Sequence, residues 1–226
     1  MIAFVFAMKK EAELLLARAD SVVQTKEGYP SFYECSYRGH SFLVAISGIG
    51  KVFAGSSIAA IADRYPNVDG IINAGVGGSV DPEKAPLFSV IIGNEFIQHD
   101  LDTSPIGDPR CFISGIEKIG LLADPDLVQA AEKAAETCRY PHETGRICSG
   151  DRFIASPTER EAIRKEFGCL SCDMESAAFA QIAYVYELPF VAFRVISDVG
   201  DAPGEYERNL PAAKEMLLAI IDRLLA

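Results

Sequence analysis

The amino-acid sequence predicts an α/β protein of three layers, α/β/α, built around a mixed and largely parallel central sheet. Three observations carry that expectation. Short apolar runs of strand length recur, "IAFVFA" at 2–7 and "FVAFRVIS" at 190–197 among them. Segments of helical period lie between such runs, and strand alternates with helix along most of the chain, as happens when helices return the chain across a sheet. Glycine clusters then close two of the strands, "SGIGK" at 47–51 and "NAGVGG" at 73–78, where a strand must turn sharply into the next element.

Taken in order, the run 2–7 is a first strand and "MKKEAELLLARA" its following helix, with leucines at helical spacing from Met8 and Ala12. "SFYECSY" and "HSFLVAIS" flank Arg38 and Gly39 as a hairpin, because glycine supplies the positive φ of a tight turn. Residues 51–65 read as a helix packed through Val52, Ile58 and Ile61. "DGIINAGVGG" is a buried strand, and "FSVIIGNEFIQHD" is another, bulged near Gly93 and Asn94. Helices are expected at 125–138, 157–167, 173–188 and about 209–226, with a short strand at "GRICSGD" and a long one at 190–197. The irregular stretch 99–116 is too long for a simple connection and is expected to be a lid or an interface loop.

One domain over 1–226 is expected, since a chain of 226 residues can bury one sizeable core. The formal net charge of −11 opposes a nucleic-acid backbone as partner. No apolar run reaches the roughly 18 to 20 residues that span a bilayer. In the opening stretch Lys9 and Lys10 follow the apolar segment, unlike a secretory leader, so a cytoplasmic location is expected. Six cysteines without a leader favour reduced thiols. Cys169 and Cys172 form a CxxC, but a zinc site needs about four ligands; with no second CxxC and three histidines, no metal is expected.

In sheets of this kind ligands bind beyond the carboxyl ends of the strands. Glu11 stands just past the first strand, Asp173, Met174 and Glu175 at the entrance to the apolar helix "SAAFAQIAYV", and Ser197 and Asp198 at the end of the last strand. Singly, the helix macrodipole accounts for Glu11 and an N-cap for Asp173. Jointly, Glu11, Glu175 and Asp198 converge on one sheet edge and have the makings of a reaction centre.

"AMKKEAE", "SGIGK", "INAGVGG", "SGDRFI", "DMESAA" and "FRVISDVGD", in that order over nearly the whole chain, resemble the purine nucleoside phosphorylase and uridine phosphorylase superfamily. Within it the match is to the 5'-methylthioadenosine/S-adenosylhomocysteine nucleosidases. The resemblance implies the nucleoside phosphorylase-like fold, a homodimer, no cofactor, and adenine nucleosides as small-molecule ligands. It gives Asp198 the role of proton donor to the purine, Glu175 contact with the ribose hydroxyls, and Glu11 the role of general base on water. Phe153 and Ile154 would form the segment that stacks on adenine and reads its edge through the backbone, Met174 would pack on ribose, Arg194 would order Glu175 or the water, and Ser197 would orient Asp198. Met8, Ile49, Val76, Gly77, Asp173 and, more loosely, Tyr206 complete the expected ligand pocket.

Phosphorylases of the superfamily resemble one another in a Gly-Asp-Pro-x-Arg segment after the first strand, where this chain has "MKKEAE". Its own "GDPR", at 107–110, lies in the mid-chain loop and is read as coincidental. An anionic Glu11 repels phosphate and can polarise water, so hydrolysis is expected. Two departures from the family pattern are Val76, where many members have a water-holding Ser, and the stretch "DAPGEYERN", expected to form a lid of different length. Val76 keeps another purine nucleoside, such as futalosine or adenosine, as an alternative substrate; a phosphorylase and a non-catalytic nucleoside binder are the remaining alternatives.

Overall fold

The computed structural model describes residues 1–200, 202 and 204–226. Its strands are β1 (Ile2–Phe6), β2 (Ser21–Lys26), β3 (Ser31–Tyr37), β4 (His40–Ile46), β5 (Gly70–Ser79), β6 (Val90–Gln98), β7 (Leu121–Leu122), β8 (His142–Ser149), β9 (Ser171–Asp173) and β10 (Phe190–Asp198). Its helices are α1 (Lys9–Arg18), α2 (Lys51–Arg64), α3 (Pro125–Cys138), α4 (Pro157–Phe167), α5 (Ser176–Val185) and α6 (Glu205–Leu224). All the strands belong to one mixed sheet.

At its centre β4, β1, β5 and β10 run parallel, so their carboxyl ends share one edge. Beyond them β10 pairs with β6 antiparallel, β6 with β8, β8 with β9, and β9 returns to β5. These five strands close on themselves. The hairpin β2–β3–β4 extends the sheet on the other side.

Side-chain alternation along the central strands sorts the core into two faces. Phe4, Phe6, Ile72, Val191 and Phe193 pack with α1, α3 and α6, through Leu15, Ala134, Leu217 and Ile220. Ala3, Val5, Ile71, Ala192 and Ile196 pack with α2 and α5, through Ile58, Ile61, Phe179 and Ala183. That is the α/β/α sandwich expected from the sequence. A third apolar cluster under α4 joins Ile163 and Phe167 to Val80, Ile97, Cys148 and Ile154.

The hairpin turn falls on Arg38 and Gly39, both at positive φ, and the register of β6 against β8 shifts between Gly93 and Glu95, the expected bulge. Three differences stand out. The segment after α1 contains β2, an exposed edge strand with almost no apolar face to register in the sequence. Helix α5 begins at Ser176, because the residues 171–173 are drawn into the sheet beside β5 and β8. Helix α6 begins at Glu205, four residues earlier than expected, where the Glu205 carboxylate accepts from the Val199 and Gly200 N–H groups.

Cys148 and Cys169 are joined by a disulfide, which corrects the expectation of reduced thiols throughout. The approach to β9 runs beside β8 and holds their Cα atoms 6.0 Å apart, within the range a disulfide accepts. Their separation of 21 residues gives no hint of that neighbourhood. Among the described residues, no helix is long and apolar enough to cross a membrane.

Candidate active site

A cavity of about 750 Å³ opens at the carboxyl edge of the parallel strands, a volume suited to a nucleoside-sized ligand. The three acids meet there from distant parts of the chain: Glu11 from the first turn of α1, Glu175 from the entrance to α5, and Asp198 from the end of β10. All three are buried. Met8, Ile49, Val76, Gly77, Phe153 and Met174 also line the cavity. So do Asp173, Ser197 and Tyr206.

Glu11 is held by the backbone at both oxygens. Met8 N–H donates to Oε2 at 3.0 Å and Val76 N–H to Oε1 at 3.1 Å. Burial pushes its carboxyl above the usual range, while these two donors and the Arg194 charge pull the other way. A raised carboxyl is a stronger proton acceptor once ionised, which suits a general base. Val76 therefore contributes through its amide, where the sequence left only a missing hydroxyl.

Glu175 accepts from Gly50 N–H at 2.8 Å. Gly50 leads into α2 with φ of +96°, and a Cβ there would come within 3.0 Å of Asp151 Oδ1; the glycine turn "SGIGK" thus aims its amide at an acid 125 residues away. Burial first, and the Asp173 charge second, push the Glu175 carboxyl from 4.5 up to about 8. The folded chain then binds this proton more tightly than the unfolded chain. The stability Glu175 contributes is complete below about pH 4.5 and is lost as pH rises through about 8. In thermal melts of the ligand-free protein, Glu175→Gln is expected to gain in Tm over the unmodified protein progressively across that window. A Tm difference independent of pH would remove Glu175 as a buried titrating group.

Asp173 and Arg194 depart from their expected roles. Asp173 Oδ1 accepts from the N–H groups of Glu175 and Ser176, both at 3.1 Å, and Oδ2 lies 2.9 Å from Arg194 Nε. Ser149 and Ser176 hydroxyls also donate to it. Its lone pairs are committed, so Asp173 caps the helix entrance and anchors Arg194 although it borders the cavity. Arg194 lies beneath the cavity floor, where it also donates to Asn73 Oδ1 and, at 2.7 Å, to Ser176 Oγ. It acts on Glu11 and Glu175 by charge at a distance, with no hydrogen bond to either. Gly77 is required above it, since a Cβ would fall 2.6 Å from Ser171 Oγ and 3.2 Å from Arg194 Cβ.

Ile154 does not line the cavity with its side chain, and its expected contact with adenine is through the backbone. Its side chain is buried in the cluster under α4, and its carbonyl accepts from Arg160 Nε at 3.0 Å. Its neighbour Phe153 is 60% exposed at the cavity mouth, with its ring centroid 6.3 Å from that of Tyr206. Tyr206 Oη reaches Met8 Sδ at 3.6 Å, and Lys10 Nζ sits 4.7 Å from the Tyr206 ring centroid. The expected lid after Asp198 includes Asp201 and Pro203, which lie outside the described residues.

Asp198, buried at the end of the apolar strand β10, has a partner that the sequence did not reveal. Its Oδ1 is paired with Arg160 Nη2, both side chains buried, while Oδ2 lies 3.0 Å from Ser197 Oγ. Arg160 went unrecognised because α4 is rich in charge. The available signal was its spacing, since Arg160, Ile163 and Phe167 share one helical face and are the buried residues of α4. Lys10, Cys172 and Gly78 also line the cavity, although they are not among the residues expected to contact the ligand. Arg110 of "GDPR" lies on the outer loop, bonded to Glu166 and His99 O, away from the cavity.

Known proteins share this architecture and its full length. A family model described as "Phosphorylase superfamily" matches residues 1–226. The 5'-methylthioadenosine/S-adenosylhomocysteine nucleosidase of Psychromonas ingrahamii is 31% identical over 99% of this chain and 97% of its own. The Neisseria meningitidis enzyme of the same name, solved in complex with methylthio-immucillin-A, superposes with a TM-score of 0.92 at 32% identity, over 99% of this chain and 97% of that one. A futalosine hydrolase mutant of Helicobacter pylori has a TM-score of 0.91 at 23% identity over 99% and 97% of the two chains, a likeness of fold.

Proposed function

Because the chain belongs to the phosphorylase superfamily and, within it, to the 5'-methylthioadenosine/S-adenosylhomocysteine nucleosidases, we infer that it hydrolyses the N-glycosidic bond of those two nucleosides. The products are adenine and the 5-thioribose derivative.

One observation carries the choice of water over phosphate as nucleophile. The cavity presents Glu11 and Glu175, and the guanidinium groups beside it are already spent, Arg194 on Asp173, Asn73 and Ser176 and Arg160 on Asp198, while the one ammonium in its lining, Lys10, sits over the Tyr206 ring. A phosphate dianion there would face two acidic side chains with no free guanidinium to receive it among the described residues. Water meets no such barrier.

In the reaction, Glu11 takes a proton from water as its oxygen attacks the anomeric carbon. The bond to N9 breaks with its electron pair going to adenine, and Asp198 delivers a proton to N7, so that the base leaves neutral. The ribosyl group carries positive charge at the transition state, and Glu175 stabilises it from its place against the ribose hydroxyls. Phe153 stacks on the purine, and Met8, Ile49 and Tyr206 enclose the 5'-substituent. We further propose one domain over 1–226, a cytoplasmic location and a homodimer in which the exposed loop around Asp102 to Ile106, outside this chain's own cavity, completes the partner's pocket.

Product chromatography after incubation with 5'-methylthioadenosine tests this reading. Adenine and free methylthioribose are expected at the same rate with and without phosphate. Adenine formed only with phosphate, beside a sugar 1-phosphate, would overturn hydrolysis. Val76, which offers a methyl-bearing side chain where a hydroxyl is common, favours a different purine nucleoside as the second reading; turnover of futalosine or adenosine without turnover of the thio-nucleosides would establish it.

A further inference from the structure

We propose that Arg160 is a positioning residue for Asp198: it fixes which carboxyl oxygen faces the purine and ties the proton donor to the strip that contacts the base. The proposal rests on the nucleosidase reading above.

Arg160 projects from the buried face of α4 into the cavity wall and is 4% exposed. Each bond it makes ends on a part of the site. Nε donates to the Ile154 carbonyl at 3.0 Å, next to Phe153; Nη1 donates to the carbonyl of Ser79, at the end of β5, at 2.9 Å and to that of Asp198 at 3.2 Å; Nη2 donates to Asp198 Oδ1. The planar fork therefore spans three segments that meet around the purine. The slot it occupies is shaped by glycine. A Cβ on Gly78 would approach both Nη atoms to 3.3 Å, and one on Gly200, at φ of +83°, would reach 2.9 Å from Nε.

The chemistry follows from what a guanidinium can do. It donates hydrogen bonds and accepts none, so Oδ1, facing Nη2, is the oxygen that stays unprotonated. The transferable proton belongs to Oδ2, which lies beside the Ser197 hydroxyl. When that proton moves from Oδ2 to N7 and the glycosidic electron pair passes to adenine, Asp198 is left as a carboxylate opposite a fixed cation. Arg160 thus orients the donor before the step and stabilises its conjugate base after it, without touching the substrate's reacting atoms.

Two leaving groups separate this role from a merely structural one. Adenine needs a proton to depart, whereas p-nitrophenolate does not. With Arg160→Gln, kcat for 5'-methylthioadenosine is expected to fall about 10²-fold, in the range of a lost acid term, while hydrolysis of the p-nitrophenyl glycoside of 5-methylthioribose falls less than about tenfold. Arg160→Lys, which keeps a cation but cannot span all three acceptors, is expected to lie between on adenine release and serves if the Gln variant does not fold. Equal losses on the two substrates, or no loss on either, would overturn the proposal. Failure of the unmodified protein to cleave either glycoside would instead count against the nucleosidase reading itself.

Discussion

Asp198→Asn is expected to bind 5'-methylthioadenosine with an affinity close to that of the unmodified protein and to release adenine at least 10²- to 10⁴-fold more slowly, the usual worth of a general acid. The substitution keeps the shape of the side chain and an oxygen for Arg160 Nη2, so the cavity persists while the transferable proton is lost. It also deprives a buried guanidinium of its acidic partner. Loss of such a partner lowers stability, and the thermal midpoint should fall. Equilibrium binding and single-turnover adenine release on the same preparation separate the two effects. Unchanged release would remove Asp198 from the mechanism.

Glu11→Gln is expected to lose a comparable 10²- to 10⁴-fold in kcat, with a different signature. Water must be activated whatever group departs, so the p-nitrophenyl glycoside should suffer along with the nucleoside. Glu11 meets two backbone donors with two acceptor oxygens. Glutamine offers one oxygen and one amide nitrogen, leaving one N–H facing another donor at a cost of about 1 to 3 kcal/mol. Retained hydrolysis of either substrate at the original rate would exclude Glu11 as the base.

The fold was legible because its main elements carry strong apolar periodicity. The runs that became β1, β5 and β10 are buried on both faces and needed no context to identify. β2 was invisible for the opposite reason, an exposed strand with nothing to pack against. At the site, the positions of Glu11, Glu175 and Asp198 followed from strand ends and helix starts. Their electrostatic partners did not. Which guanidinium faces which acid is decided by packing between segments far apart in the chain: Arg194 meets Asp173 rather than Glu175, and Arg160 meets Asp198 across 38 residues. Charged residues on a helix read as a solvated face until one of them is found on the apolar stripe, as Arg160 is.

The placement of β10 bears on how the protein is made. This strand is the last of the sheet to be synthesised, is buried along its whole length, and sits between β5 and β6. Until residue 198 or so has left the ribosome, both neighbours expose an apolar edge with unpaired amides and carbonyls, the kind of edge that recruits strands from other chains. Its closing residue is Asp198. Completion of the barrel-like ring and delivery of the proposed proton donor are therefore one event, so a nascent chain passes from its most aggregation-prone state to a complete set of acids in a single insertion.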